Sequence, residues 1–215
     1  MDFGIYLKLL IVVIIKMMVK RWVDGILIRN MVKAKKRCGL YNDSVEGISF
    51  KNGDWVELSY SIQSKDLVLY NGNYNYGRKI GKWDIYWNQV HQSSKIGGGQ
   101  FGVQLSNNSS IKIGQWIELR DGYCQDSKIY NCGEYKKGIK IGIWDIQFQE
   151  KIIGGGSYDV GSKTGKWIEL CDGFYKSGYG SKEITFNGEY SNGKKIGKWT
   201  EINLKNLHLR TIYYD

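Results

Sequence analysis

The side chains of this 215-residue chain that suit acid–base or nucleophilic chemistry are few and scattered. A histidine can act as a general base and a cysteine as a nucleophile, but each needs a partner within hydrogen-bond reach. His91 and His208 lie far apart in the sequence and have no acidic or cysteine neighbour at a recognised spacing. We therefore expect both histidines to be surface or loop residues and not catalytic bases.

The four cysteines, Cys38, Cys124, Cys132 and Cys171, form no Cys-x2-Cys pair. Structural zinc sites use such close pairs, so the sequence predicts no metal site. Cys124 and Cys132 could bridge only in an oxidising compartment, for which nothing else in the sequence argues. Cys132 also resembles a one-residue insertion before Gly133, because related segments read Tyr-Asn-Gly and Phe-Asn-Gly, and we expect a β-bulge there.

Three glutamates have a regular setting that favours a structural role. Glu57, Glu118 and Glu169 each stand two residues after a tryptophan, in Trp-(Val/Ile)-Glu-Leu. A carboxylate at a fixed repeat position is expected to serve every repeat in the same way. No phosphate loop, nucleophile elbow or dinucleotide fingerprint is present, and the two Gly-Gly-Gly runs lead into predicted strands. The sequence thus predicts a protein that is not an enzyme and needs no cofactor.

The elements that position these residues come from one spacing, Tyr-x2-Gly-x3-Gly-x-Trp, which occurs four times. A fixed aromatic and glycine spacing marks a repeat protein. Two looser copies contain Phe101 with Trp116 and Tyr41 with Trp55, and alternate copies share their endings, so the full period is a pair of units present three times. The residues expected to build the repeats are Tyr74, Gly77, Gly81, Trp83, Tyr135, Gly138, Gly142, Trp144, Tyr158, Gly161, Gly165, Trp167, Tyr190, Gly193, Gly197 and Trp199.

Each copy of the motif is predicted to form a β-hairpin. A four-residue loop over residues 77–80 would set Tyr74 directly opposite Trp83, and such aromatic pairs contribute roughly 0.2–1 kcal/mol. Gly77 would turn the chain with a positive φ. One hairpin alone is marginal, so the copies must stack to bury their aromatic faces. About twelve strands at about 4.8 Å each would span roughly 58 Å.

The pattern Gly-x-Tyr-x2-Gly-x3-Gly-x-Trp resembles the MORN repeat (membrane occupation and recognition nexus), in the variant in which Trp follows the last glycine. The resemblance covers residues 39–202 and implies an all-β repeat fold, an elongated meander of about six stacked antiparallel β-hairpins. It also implies a scaffold, a tether for membranes or cytoskeleton, or an accessory module beside catalytic domains. Insertions in alternate connections depart from the family's short period and supply non-repeated surface suited to specificity.

The predicted organisation is an apolar and then basic N-terminal helical segment over 1–37, the repeat array over 38–204, and a C-terminal tail or strand over 205–215. Residues 3–19 are strongly apolar, interrupted only by Lys8 and Lys16. Three interpretations stay open: a marginal transmembrane or re-entrant helix, an amphipathic helix on a membrane surface, or a helix packed on protein or a misassigned start of translation. No small-residue cleavage site follows, so a cleavable signal peptide is not expected.

The net charge of +10 is unevenly distributed, and several basic residues lie in or directly beside the predicted turns. Stacked hairpins would bring the turns to one long edge, about 10 Å apart. Such an edge could contact an anionic membrane surface or an acidic partner, although lysines in turns also keep a repetitive sheet soluble. Nucleic acid fits less well, because the aromatic residues are already assigned to cross-strand pairs. The candidate contact residues are Arg78, Lys79, Lys82, Lys140, Lys163, Lys166, Lys194, Lys195 and Lys198.

Together these features predict a cytoplasmic, non-enzymatic scaffold that binds protein partners, with attachment to a membrane through residues 1–37 as one option. A peripheral membrane or anionic-lipid-binding protein is the first alternative. An accessory module of a catalytic assembly is the second.

Overall fold

The computed structural model describes residues 40–43, 49–60, 67–88, 93–120, 123, 127–174, 182–205 and 209–215. The predicted N-terminal segment over 1–37, both histidines, Cys38 and Cys124 lie outside the described residues. Within the described ranges, no helix has the length and apolar character needed to cross a membrane.

The described residues form thirteen strands of one antiparallel sheet, in which the order in space follows the order in sequence. The six predicted units correspond to six successive hairpins, and a last strand pairs with the sixth hairpin. The prediction of an all-β meander of antiparallel hairpins is therefore confirmed. The strands are β1 (Leu40–Asp43), β2 (Ser49–Tyr60), β3 (Leu67–Asn75), β4 (Arg78–Asn88), β5 (Ser93–Gln104), β6 (Ser109–Leu119), β7 (Ile129–Lys136), β8 (Ile139–Phe148), β9 (Lys151–Asp159), β10 (Ser162–Leu170), β11 (Ile184–Ser191), β12 (Lys194–Asn203) and β13 (Leu209–Tyr214).

The hairpin turns are shorter than predicted. Between β3 and β4 the turn consists of Tyr76 and Gly77, with φ angles of 45° and 75°, and Asn75 pairs directly with Arg78. Two consecutive positive φ angles are those of a type I′ turn, whose twist matches the twist of the flanking strands. Positive φ pairs recur at residues 137–138, 160–161 and 192–193. The predicted four-residue loop over residues 77–80 is thus wrong.

A bulge in β4 takes up the residues that the prediction had placed in the loop. Gly81 has a φ of 63°, and the register shift leaves Gly72 opposite three residues of β4. Tyr74 consequently pairs with Lys79, so the predicted direct opposition of Tyr74 and Trp83 is also wrong.

Five tryptophan rings each lie across a glycine of the preceding strand. A Cβ atom added to Gly72 would lie 2.2 Å from the Trp83 ring, and the other four glycines would meet their tryptophans at 2.2–2.4 Å. Only glycine leaves room for the ring, which explains the first glycine of the Gly-x-Tyr motif. The pairs are Gly72 with Trp83, Gly99 with Trp116, Gly133 with Trp144, Gly156 with Trp167 and Gly188 with Trp199.

Aromatic rings form a continuous row across the sheet, with one ring on every strand from β2 to β13. Neighbouring rings meet edge to face, with centroids 5.0–6.2 Å apart and interplanar angles of 75–86°. Ring quadrupoles favour this geometry. The face that carries the row is called the ring face below. The row consists of Trp55, Tyr74, Trp83, Phe101, Trp116, Tyr135, Trp144, Tyr158, Trp167, Tyr190, Trp199 and Tyr214.

Two of the longer connections contribute buried side chains of their own. Tyr123, between β6 and β7, packs edge to face on Trp87 with centroids 5.9 Å apart. Phe174, between β10 and β11, is buried in a cluster with Ile129. The Arg120 guanidinium joins the two connections by donating to carbonyl oxygens at the end of β10, at 3.0 and 3.3 Å. These insertions therefore extend the core as well as the surface.

Candidate functional site

Clusters of one glutamate, two lysines and one tyrosine repeat along the ring face. In the first cluster the Glu57 carboxylate accepts hydrogen bonds from Lys51 at 2.8 Å, Lys79 at 2.6 Å and the Tyr74 hydroxyl at 2.5 Å. These side chains come from β2, β4 and β3, so one carboxylate ties together three strands. The corresponding clusters are Glu118 with Lys112, Lys140 and Tyr135, and Glu169 with Lys163, Lys195 and Tyr190.

The same six lysines lie over the aromatic row. The ammonium nitrogen of Lys140 is 3.7 Å from the centroid of the Trp144 ring. The other five ammonium nitrogens are 4.1–4.8 Å from the centroid of a tryptophan ring. A cation over an aromatic face is attracted by the ring quadrupole. Each lysine is thus held by a carboxylate on one side and by a ring beneath it.

The clusters keep their glutamates ionised. Burial alone would raise the pKa of Glu57, but hydrogen bonds from the two lysines and the tyrosine of its cluster lower it to about 2. The same causes lower the pKa of Glu118 and of Glu169. Burial and then the neighbouring carboxylate raise the pKa of the cluster tyrosines Tyr135 and Tyr190. The glutamates are therefore anionic and these tyrosines neutral at pH 7.

Acid is expected to destabilise the protein as the pH falls from about 4.5 towards about 2. A glutamate with an ordinary pKa of 4.5 in the unfolded chain and about 2 in the folded protein stabilises the fold fully above pH 4.5. That contribution is lost as the pH falls through the folded value. Urea unfolding at a series of pH values measures the slope, and the variant with Glu57, Glu118 and Glu169 all changed to Gln should show a flatter slope. Equal slopes for the two proteins would contradict this assignment.

The nine basic residues expected on one edge are divided among different places. Arg78 and Lys194 directly follow turns, and Arg78 donates a hydrogen bond to the Asn108 side chain. The single basic edge does not form, because the two-residue turn moves the next lysine of each hairpin into the strand and onto the ring face. Lysines that directly precede a tryptophan lie on the other side of the sheet by alternation. The ring-face set is Lys79, Lys140, Lys163 and Lys195, and the other set is Lys82, Lys166 and Lys198.

Sequence analysis missed two lysines of the clusters, Lys51 and Lys112. A signal for them was present, because Lys-x5-Glu recurs with Glu57, Glu118 and Glu169. An even separation along a strand favours the same face for both side chains. Salt bridges within one strand, such as that between Lys51 and Glu57 at 2.8 Å, follow from that spacing.

The face away from the rings, called the opposite face below, carries a continuous row of cross-strand partners. The row contains two glycines, Gly98 and Gly155, with φ angles of 129° and 123°. A Cβ at either position would lie 2.1–2.2 Å from a tryptophan carbonyl oxygen, so only glycine permits this close approach of the neighbouring strand. In strand order the row is Val56, Asn71, Asp84, Gly98, Ile117, Cys132, Asp145, Gly155, Ile168, Asn187, Thr200 and Thr211.

Asp84, in this row, is paired with lysines of its own chain. Its Oδ1 lies 2.8 Å from the ammonium nitrogen of Lys95 on β5 and 3.9 Å from that of Lys82 on β4. The hydrogen bond to Asp84 raises the pKa of Lys95. The Asp84 carboxylate is half-buried and its charge is compensated by cations that remain accessible to solvent.

Cys132 has a regular place in the same row. It pairs with Asp145 as Asn71 pairs with Asp84, so the β-bulge predicted as a feature of Cys132 is wrong. Burial, and then the Asp145 carboxylate, raise the pKa of the Cys132 thiol. A thiol kept protonated is a poor nucleophile. Among the residues that the structure describes, no group of three or more His, Cys, Asp or Glu side chains could share a metal ion.

The chain matched no protein-family model and no curated protein. Function therefore has to be inferred from the geometry of the ring face and of the opposite face.

Proposed function

We propose that this chain is a non-enzymatic repeat scaffold of the MORN type that binds protein partners through the opposite face of its sheet. The observation that carries the proposal is the contrast between the two faces. On the ring face the repeated glutamates, lysines and tyrosines bind one another over the aromatic row. On the opposite face aliphatic side chains remain exposed, with Ile117, Ile143 and Ile168 at 43%, 71% and 38% of full exposure.

The chemistry of the repeated glutamates supports a non-enzymatic role. A general acid or base works best with a pKa near the operating pH. The three cluster glutamates have lowered pKa values, and each is engaged by two lysines and a tyrosine. They serve as structural anions that hold the strands and the lysines in place.

The extent of the opposite face suits a protein partner. A standard protein–protein interface covers about 800 Å² on each partner. Twelve strands spaced about 4.8 Å apart give a surface roughly 58 Å long, which is large enough for such an interface. Exposed aliphatic side chains among charged ones match the mixed composition of interfaces that form and dissociate.

A crosslinking experiment tests this proposal. Cells expressing the tagged chain are crosslinked and its covalently captured proteins are compared with those of the variant Ile117→Lys/Ile168→Lys. Both substituted side chains are exposed, so circular dichroism should show an unchanged fold. We expect a defined set of captured proteins that the variant loses. An identical set for the two proteins, or a turnover activity that one substitution abolishes, would rule out this scaffold function.

Contact with an anionic membrane surface is a second candidate, favoured by the charge of the ring-face clusters. Each cluster has two lysines for one glutamate and so carries a net positive charge. Fractionation of cells that have not been crosslinked, expressing either the full chain or a version without residues 1–37, tests this candidate. Release by high salt would indicate electrostatic attachment, and survival through alkaline carbonate would indicate a spanning segment. Recovery of both versions in the low-salt soluble fraction would exclude membrane attachment.

A further inference from the structure

The repeats of this chain allow one unit to be compared with another at the same position of the opposite face. Asp84 on β4 pairs with Gly98 on β5, and Asp145 on β8 pairs with Gly155 on β9. Both aspartates directly follow the tryptophan of their unit. The two carboxylates therefore occupy equivalent places in the sheet, four strands apart.

The lysines that neutralise the first aspartate are missing around the second. Lys82 and Lys95, which reach Asp84, are replaced at the equivalent places by Ile143 and Ile152. Lys95 and Ile152 occupy equivalent places in the strand register. Each pairs with the residue two positions after the aspartate of its unit, which is Asp84 for Lys95 and Asp145 for Ile152.

No other described residue neutralises the Asp145 carboxylate as those lysines neutralise Asp84. Within the described ranges, no lysine or arginine nitrogen lies within ion-pair distance of the Asp145 carboxylate. Lys151 is adjacent to Ile152 in sequence, but it pairs with Phe148, whose side chain packs in the cluster with Ile146 on the ring face. Asp145 is thus a half-buried carboxylate without a cation among the described residues, and its charge can attract an incoming cation.

Two exposed aliphatic side chains flank this carboxylate. Ile143 is 71% exposed and Ile152 is 64% exposed. A lysine or arginine side chain combines a cationic end with an aliphatic stem that covers apolar surface. The arrangement therefore offers one contact for each part of such a side chain.

We propose that Asp145, Ile143 and Ile152 form a docking point for a lysine or arginine side chain of a basic protein segment. The incoming cation takes the place that the Lys95 ammonium holds beside Asp84, and its stem lies against the two isoleucines. This inference deepens the proposed scaffold function and rests on it. A metal ion fits poorly, because Ca²⁺ needs six to eight oxygen ligands and Mg²⁺ near-ideal octahedral oxygens, whereas this point supplies one carboxylate.

The test uses the full chain with its isoleucine δ-methyl groups labelled for NMR. The probe is the peptide acetyl-Val-Lys-Val-amide, and the matched control peptide has norleucine in place of lysine. We expect saturable shifts of the Ile143 and Ile152 methyl signals with the lysine peptide only. Asp145→Asn should weaken binding by about tenfold or more, the usual loss for a hydrogen bond to a charged group.

The internal repeat provides the matched variants. Ile143→Lys/Ile152→Lys places the lysines of the first unit around Asp145 and should abolish binding, which is read in this variant from the signals of the peptide. Lys82→Ile/Lys95→Ile removes them from Asp84 and should create a second binding point, reported by shifts of the new methyl signals at positions 82 and 95. Unchanged signals from β12 in each variant would show that the fold is intact.

Several outcomes would overturn the docking point without touching the broader scaffold function. Equal binding of the norleucine peptide, or equal binding by Asp145→Asn, would remove the role of the carboxylate. Displacement of the peptide by spermine at the peptide's own affinity would identify a site for small cations instead of a protein segment. Conversely, the peptide could bind while the proteins crosslinked in cells are the same for the chain and for Ile117→Lys/Ile168→Lys. That result would support the docking point and reject the scaffold function.

Discussion

Replacing Trp144 with alanine is expected to lower the free energy of unfolding by about 3–5 kcal/mol, the usual cost of truncating a buried aromatic side chain. The ring is 3% exposed. It meets Tyr135 and Tyr158 edge to face at centroid distances of 5.1 and 6.0 Å, and its indole N–H donates to the Glu134 carbonyl oxygen at 3.3 Å. The ammonium nitrogen of Lys140 above it would lose its nearest aromatic partner as well.

The neighbouring residue is the control for this substitution. Ile143 precedes Trp144 in the same strand but is 71% exposed, so Ile143→Ala should change stability by no more than about 0.5 kcal/mol. Urea unfolding of both variants, followed by circular dichroism, measures the difference. A Trp144 variant that unfolds at the wild-type midpoint would show that the aromatic row does not stabilise the sheet.

Replacing Gly133 with alanine is expected to cost about 3 kcal/mol, at the upper end of the range for overpacking. The added Cβ would lie 2.3 Å from Cδ2 of the Trp144 ring, which is held by rings on both sides. The ring cannot move aside without breaking those contacts. Thermal or urea unfolding measures the loss, and the tryptophan fluorescence spectrum reports displacement of the ring.

Substitution of a second glycine in the same hairpin distinguishes the cost of crowding the tryptophan ring from the cost of backbone strain. Gly142 has a φ of 63° and no atom within 4 Å of an added Cβ. Gly142→Val is expected to cost about 1–3 kcal/mol through strain in the left-handed region, and Gly142→Asn less, because asparagine tolerates that region. A greater loss for Gly142→Asn than for Gly133→Ala would contradict the assignment of ring crowding to Gly133.

The repeat spacing was sufficient to predict the order and antiparallel pairing of the strands, but not the register within a hairpin. The motif has three residues between its two glycines. This spacing fits either a four-residue loop that includes the first glycine or a two-residue turn followed by a bulge. The second solution needs a positive φ at Tyr76 as well as at Gly77. Nothing in a tyrosine indicates that conformation, and the sister copies have Lys137, Val160 and Asn192 at that place.

The error in register led directly to the error about the basic residues. With a four-residue loop, Lys79 would lie in the turn and on an edge. With a two-residue turn it lies in β4, opposite Tyr74 and beside Glu57. The recurring Lys-x5-Glu spacing would have indicated this ring-face cluster, since it links residues of one strand. That Asp145 lacks a cation among the described residues was beyond sequence analysis, because the equivalence of Lys95 with Ile152 depends on the register between two strands.

The agreement between sequence order and spatial order has a consequence for how the chain acquires its structure. Because every strand pairs with the strands next to it in sequence, native contacts close short loops and the contact order is low, which favours rapid folding. The turn glycines link each hairpin to the preceding one by a backbone hydrogen bond. For example, the Gly138 N–H donates to the Lys112 carbonyl oxygen of the preceding hairpin at 2.9 Å. During synthesis from the N-terminus, each hairpin can therefore dock on a finished predecessor, and the sheet grows by propagation without waiting for distant segments.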